Sequence, residues 1–153
     1  MAEYPLCPHC FQLLEFSTPL KKCHNQLAFV FERQGPAITL AREFAGGLRP
    51  ALAPAMAGFM LLQLDKFQWP LPDIVLPLPS FPFDLFDKSY LPNPLLAESL
   101  RLILKCPKTS SKMGKNILCV ATSSEERKAR HYMRRLEAEL PAQVRTLLFL
   151  SDN

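Results

Sequence analysis

Chemistry-bearing side chains crowd the start of this chain. Cys7-Pro8-His9-Cys10 is a C-x-x-C knuckle, and Cys23-His24 follows it. Two thiolates at i and i+3 in a tight turn grip one tetrahedral Zn²⁺, and a distant second pair closes the loop. The second pair is irregular, because the usual spacing places its last ligand at Gln26, an amide. His24, or His9 within the first pair, takes that role instead. The set expected to hold zinc is therefore Cys7, Cys10, Cys23 and His24. The competing reading is a knuckle held only by packing around Tyr4, Phe11 and Leu13. A redox C-x-x-C is disfavoured, since neither a strand before it nor a helix starting at it is expected. Cys106 and Cys119 lie far downstream, and Cys119, within Ile117-Leu118-Cys119-Val120, reads as a small buried hydrophobe. The N-terminus has neither a basic region nor a long apolar run, so no signal peptide is expected. An odd five cysteines without an export signal argues against a disulfide framework and for a cytoplasmic protein.

Two further groups have chemical potential. Thr122, Ser123 and Ser124 precede a predicted helix, where hydroxyls and free amides bind an anion. Simple N-capping is the plainer reading, because Glu125 and Glu126 already complement the helix dipole. Arg127, Lys128, Arg130, Arg134 and Arg135 on that helix, with Lys105, Lys108, Lys112 and Lys115 before it, form a candidate nucleic-acid face. Against it stands the ordinary reading of a solvated surface and a basic linker. His131 and Tyr132 have no evident nucleophilic partner, and no Ser-His-Asp, Cys-His or paired-carboxylate set assembles.

The elements that position these groups follow from patterning. The chain has 153 residues, 48% of them hydrophobic and 21% charged, which fits one domain. Its net charge of +4 permits a polyanionic partner without demanding one. The 15 prolines argue against a helical bundle, and Pro70, Pro72, Pro77, Pro79, Pro82, Pro92 and Pro94 cluster. Strands are predicted at 27–33, 73–78, 116–121 and 143–150, and helices at 36–45, 50–64, 92–105 and 123–140. Asn93 or Ser89 is the expected cap of the third helix, and Ser123 or Ser124 of the fourth. The apolar run 51–64 is too short for a membrane span and reads as a buried helix. Continuous apolar strands alternating with helices predict a parallel α/β sheet.

The order of features resembles the ComF family, related to type I phosphoribosyltransferases. The resemblance rests on the N-terminal knuckle, Phe29-Val30-Phe31 with Gly35-Pro36, Gly46-Gly47, the Ala/Leu-rich helix, and the strand ending Leu76-Pro77-Leu78-Pro79. It covers nearly the whole chain. It implies a reduced phosphoribosyltransferase-like parallel sheet over 27–153, flanked by helices, after a zinc-knuckle-like segment at 1–26. In the family, that strand is followed by an Arg-Gly-aromatic-Asn-Gln motif leading into a helix bearing Leu-Ala. Lys88-Ser89-Tyr90-Leu91-Pro92 stands in its place, and Leu96-Ala97 begins the same helical run. Lys88 thus joins Thr122, Ser123 and Ser124 as a phosphate contact that the resemblance implies.

The family's ligand-binding centre is altered. The acidic pair that holds the ribose hydroxyls of phosphoribosyl pyrophosphate falls on Ala121-Thr122. The Thr-Thr-Gly phosphate turn falls on Glu125-Glu126-Arg127, Glu43 replaces a lysine before Phe44, and the loop ahead of the strand is reduced to 106–116. A protein without transferase activity is therefore expected, acting by binding. The family's association with DNA uptake implies single-stranded DNA as the partner, held through Lys112, Lys115, Arg127, Lys128, Arg130 and Arg134. A divergent phosphoribosyl- or nucleotide-binding enzyme using Asp84 or Asp87, and a subunit working through a protein partner, are the alternatives.

Overall fold

The computed structural model describes residues 6–18, 27–79, 91–106, 116–122, 126–140 and 143–150. In order they form α1 (Pro8–Gln12), β1 (Leu27–Phe31), α2 (Pro36–Ala45), a 3-10 turn (Pro50–Leu52), α3 (Ala53–Lys66), β2 (Ile74–Pro77), α4 (Pro92–Leu104), β3 (Asn116–Ala121), α5 (Glu126–Glu139) and β4 (Gln143–Leu150). The four strands make one all-parallel sheet in the order β1-β4-β3-β2, flanked by helices. This is the α/β architecture expected from the apolar strands, and it is compatible with a reduced phosphoribosyltransferase-like fold. None of the described helices is long and apolar enough to cross a membrane.

Differences from the expected elements have local causes. The helix predicted to start at residue 50 begins as a 3-10 turn, with Ala53 donating its N–H to the Pro50 carbonyl. An α-helix from that point would need the N–H of residue 54 on the same carbonyl, and Pro54 has none. Asn93 does not cap α4: Leu91 occupies the N-cap with no side-chain hydrogen bond, and the Asn93 amide bonds the Leu78 carbonyl. Ser89, Ser123 and Ser124 lie outside the described residues. At the start of α2, Gly35 adopts φ 55°, ψ −141°, where a side chain would be strained.

Each strand presents alternate residues to two apolar layers. Val30, Val75, Leu118, Val120, Leu147 and Phe149 pack against α2, α3 and α4. Leu27, Phe29, Ile117, Cys119, Val144 and Leu148 pack, among the described helices, against α5 alone. This division gives the topology an unusual feature. Steps β2→β3 and β3→β4 run in one direction across the sheet, yet α4 and α5 cover opposite faces. The β1→β2 connection runs the other way on the face of α4. The crossovers through α2–α3 and through α5 therefore share one hand, and the one carrying α4 has the other. Since parallel crossovers are right-handed in about 98% of cases, α4 makes the left-handed one.

The N-terminal segment is built into this core. Ser17 donates its N–H to the Val30 carbonyl and Glu32 donates to Glu15, both at 2.9 Å, with Phe16 opposite Phe31. The 15–17 stretch thus runs antiparallel along the outer side of β1 and covers that edge. Phe31 ties it inward, with ring centroids 4.7 Å from Phe16, 5.2 Å from Phe59 and 5.1 Å from Phe149. Such pairs add about 0.5–1.5 kcal/mol each beyond area burial. The opposite edge, β2, is blunted differently. Leu78 donates to the Val120 carbonyl, so by alternation Pro77, which lacks an N–H, faces the free edge.

Gln63 on α3 is fully buried and stitches these parts together. Its Nε2 donates to the Ser17 carbonyl at 2.6 Å and to the Phe29 carbonyl at 3.0 Å. Replacing it with leucine leaves both acceptors with less than their usual hydrogen bonding, while removing the unpartnered Gln63 Oε1. Gln63→Leu is expected to lower the unfolding free energy by about 1–3 kcal/mol. Urea titration is the measurement, and an unchanged midpoint would show that the amide is not a structural tie.

Candidate functional site

In open parallel sheets, ligands bind outside the carboxyl ends of two neighbouring strands whose following helices lie on opposite faces. Here that place is between β2, followed by α4, and β3, followed by α5. Thr122, immediately after β3, lies there, where the expected anion turn begins. It is buried at 5% exposure. Its groups are engaged: the backbone N–H donates to Asn93 Oδ1 at 3.1 Å and the hydroxyl donates to the same oxygen at 3.3 Å. Asn93 Nδ2 in turn donates to the Leu78 carbonyl at the end of β2, at 3.1 Å. One amide from the first turn of α4 thereby joins the carboxyl ends of both strands. Thr122 serves as an internal fastening, its N–H and hydroxyl both engaged by Asn93. Asn93 was missed as a site residue because an Asn beside a predicted helix start reads as a cap. Its partners are 15 and 29 residues away. Ser123, Ser124 and Lys88 lie outside the described residues, as do Asp84 and Asp87.

The far end of the β2–β3 pair is fastened in the same manner. Asp73 donates its N–H to the Asn116 carbonyl and accepts the Asn116 N–H on its carboxylate, both at 2.9 Å.

The basic residues of α5 divide into two groups. Ala129, Met133 and Leu136 are buried against the sheet. Arg130 is tied to Glu126, its Nε donating at 2.8 Å, and Arg135 reaches Glu139 at 3.5 Å. Arg127, His131 and Arg134 follow at i, i+4 and i+7, the spacing of one helix stripe, diametrically opposite the buried face. All three are exposed. Among the described residues, neither Arg127 nor Arg134 is in an ion pair. The structure thus brings two of the expected arginines onto one outward stripe, ties Arg130 to a carboxylate, and gives Lys128 a partner of its own. Lys112 and Lys115 lie outside the described residues.

At the N-terminal knuckle, the expectation that no helix starts at the C-x-x-C motif is corrected. Cys7 is the N-cap of α1, Pro8 is its first residue, and the Cys10 N–H donates to Cys7 Sγ at 3.4 Å. Proline in the first position has no N–H to compete for the sulfur, and the extended backbone of Cys7 aims its side chain at the third residue of the turn. The Cys10 N–H and thiol hold the exposed Cys7 thiol below its ordinary value. Donating to Cys7, with burial as a lesser cause, raises Cys10. The other described cysteines differ. Burial raises half-buried Cys106 and pushes buried Cys119 up to about 12. Zinc needs about four ligands. Among the described residues no group of three or more His, Cys, Asp and Glu is placed to hold a metal. Cys23 and His24 lie outside the described residues, so the structure supplies two of the four expected ligands.

An apolar groove of about 990 Å³ opens beside this motif, between α1 and α3. Leu6, Cys7 and Phe11 line one wall, and Ala55, Phe59 and Leu62 the other. Phe11 and Leu62 are more than half exposed on its rims.

Comparison of the chain with protein-family models, with curated proteins and with solved structures gave no match.

The shifts at the cysteines have a direct consequence for alkylation. A thiol with a lowered value holds more thiolate at any given pH, and the thiolate is the reacting species. In an iodoacetamide pH series read by peptide mass spectrometry, Cys7 is expected to reach half-maximal labelling at lower pH than Cys106. Coincident profiles, or Cys106 leading, would contradict the described geometry.

Proposed function

We propose that this chain is a non-catalytic, phosphoribosyltransferase-like binding protein whose ligand is single-stranded nucleic acid, held on the outer face of α5. The observation that carries the reading is the Arg127–His131–Arg134 stripe, exposed and, among the described residues, without an ion pair, on a helix whose remaining arginines are paired to glutamates. A helix face of this kind tracks a phosphate backbone without reading sequence, and its affinity derives from counterion release. The engaged state of Thr122 supports binding away from the strand-end crevice, as do the alanine and glutamates standing where the resembled enzymes carry their acidic pair and phosphate turn. The resemblance to ComF proteins gives DNA taken up from outside as the biological source of the strand. A basic face suffices for that partner, with no chemistry on the bases.

The test is fluorescence anisotropy with a labelled deoxythymidine oligomer across a salt series. Binding is expected at low salt, with log affinity falling against log salt by about 0.7 for each phosphate neutralised. Arg127→Glu/Arg134→Glu is expected to weaken binding at least about tenfold, each reversed charge removing a phosphate contact. Arg135→Glu, already paired to Glu139, is expected to do much less. Absence of binding at low salt, or equal effects of the two reversals, would count against the α5 face.

A further inference from the structure

Arg127 and Arg134 carry fixed charge, but the residue between them does not. His131 lies four positions after Arg127 and three before Arg134, exposed on the same stripe of α5. Residues three and four apart on a helix are neighbours, with Cβ atoms about 5–6 Å apart. The stripe therefore runs about 10 Å along the helix axis, with the imidazole at its middle. Successive phosphates of a stacked strand are only about 3.4 Å apart. A strand that spans both arginines thus brings a phosphate to the imidazole.

Imidazole is the side chain whose charge changes between about pH 5 and 8, whereas a guanidinium keeps its charge throughout. The stripe presents two positive charges at the alkaline end of that range and three at the acid end. The groups around His131 leave this change to the imidazole. On α5, Lys128 has a partner of its own, Arg135 reaches Glu139 at 3.5 Å, and Glu126 holds Arg130. Glu137 lies about a third of a turn round the helix from His131. On the buried side, the titratable groups are Tyr132 of α5 and Cys119 of β3. Burial is the main cause that raises both, so phenol and thiol stay neutral over this range. Arg145 of β4 belongs to the opposite layer, 5.4 Å from the centroid of the Trp69 ring.

Given the reading of α5 as the strand-binding face, we propose that His131 is a protonation-dependent phosphate contact, so that this face grips a single strand more tightly as pH falls. In the imidazolium both ring nitrogens donate, and one of them meets a phosphate oxygen in a charge-assisted hydrogen bond. The neutral ring keeps one donor and brings no charge. A phosphate on the stripe favours the imidazolium, and by reciprocity the imidazolium favours the strand by the same factor. Binding near neutral pH therefore takes up a proton from solvent. In the protonated state one further phosphate is neutralised and its counterion released.

Fluorescence anisotropy with a labelled deoxythymidine oligomer, whose bases do not titrate in this range, is read between about pH 5.5 and 8 at constant ionic strength. The parent chain is expected to bind roughly tenfold tighter at the acid end, the scale of one hydrogen bond to a charged group. Its log affinity is expected to fall against log salt more steeply there, by about 0.7. His131→Gln is expected to keep the weaker, alkaline-side affinity at every pH. His131→Lys, with a permanent charge, is expected to keep the tighter affinity at every pH. A parent affinity that is flat over this range, or a pH profile that His131→Gln leaves unchanged, overturns the role of His131 while strand binding on α5 stands. Absence of binding by the parent chain at low salt and acid pH overturns both.

Discussion

A single carboxamide ties the first turn of α4 to the ends of two strands. A helix that leaves β2 and returns to β3 on the face of α2 and α3 runs against the usual hand of a parallel crossover. It is held there by Leu96, Ala97 and Leu100 packing into the three-helix layer, and by Asn93 bonding Leu78 on one strand and Thr122 on the next. Apolar packing is non-directional and would tolerate a sliding helix. The bonds of Asn93 fix the first turn of α4 against both strand ends. At the other end of the same strand pair, Asp73 and Asn116 do the equivalent work.

This constraint also bears on the crevice at the strand ends. The place between β2 and β3 is where a sheet of this topology ordinarily meets its ligand. Here Asn93 occupies the hydrogen-bonding groups that Thr122 would offer to a phosphate. Among the described residues, two peripheral surfaces stand apart from that crevice: the outward stripe of α5 and the groove between α1 and α3. They differ in chemistry. One presents guanidinium groups on a solvated helix, suited to a polyanion. The other presents aromatic and aliphatic walls with a thiol at the margin. They lie on different layers of the sheet.

Much of the architecture was legible in the sequence because apolar period and proline position dictate it. Ile117 to Ala121 and Val144 to Leu150 read as buried strands from their composition alone, and Pro36 marked the start of α2. The departures occurred where a residue's partner is remote or its local role ambiguous. Pro54 redirected the start of α3 through one missing N–H. Asn93 looked like a cap, because nothing in its neighbours reveals bonds to Leu78 and Thr122. The side of the sheet taken by α4 is likewise invisible in an amphipathic pattern, which gives a helix one apolar face without saying which layer receives it. The helix at Pro8 was overlooked because five residues are too few for periodicity to register, and its evidence lies in the N-capping sulfur of Cys7. Conversely, the Arg127–Arg134 stripe was visible as a run of basic residues, but only the pairing of Arg130 and Arg135 to glutamates separates its outward members from the rest.

The central claim is that Asn93 closes the strand-end crevice by holding the Thr122 amide, and amide hydrogen exchange followed by NMR tests it at that atom. The account predicts that the Thr122 N–H is protected in the parent chain to an extent approaching Leu118 in β3. In Asn93→Ala, Thr122 should exchange at least about tenfold faster, the loss of one buried hydrogen bond, while Leu118 stays protected. A Thr122 amide that exchanges freely in the parent chain, or that is equally protected with and without the Asn93 carboxamide, would contradict it.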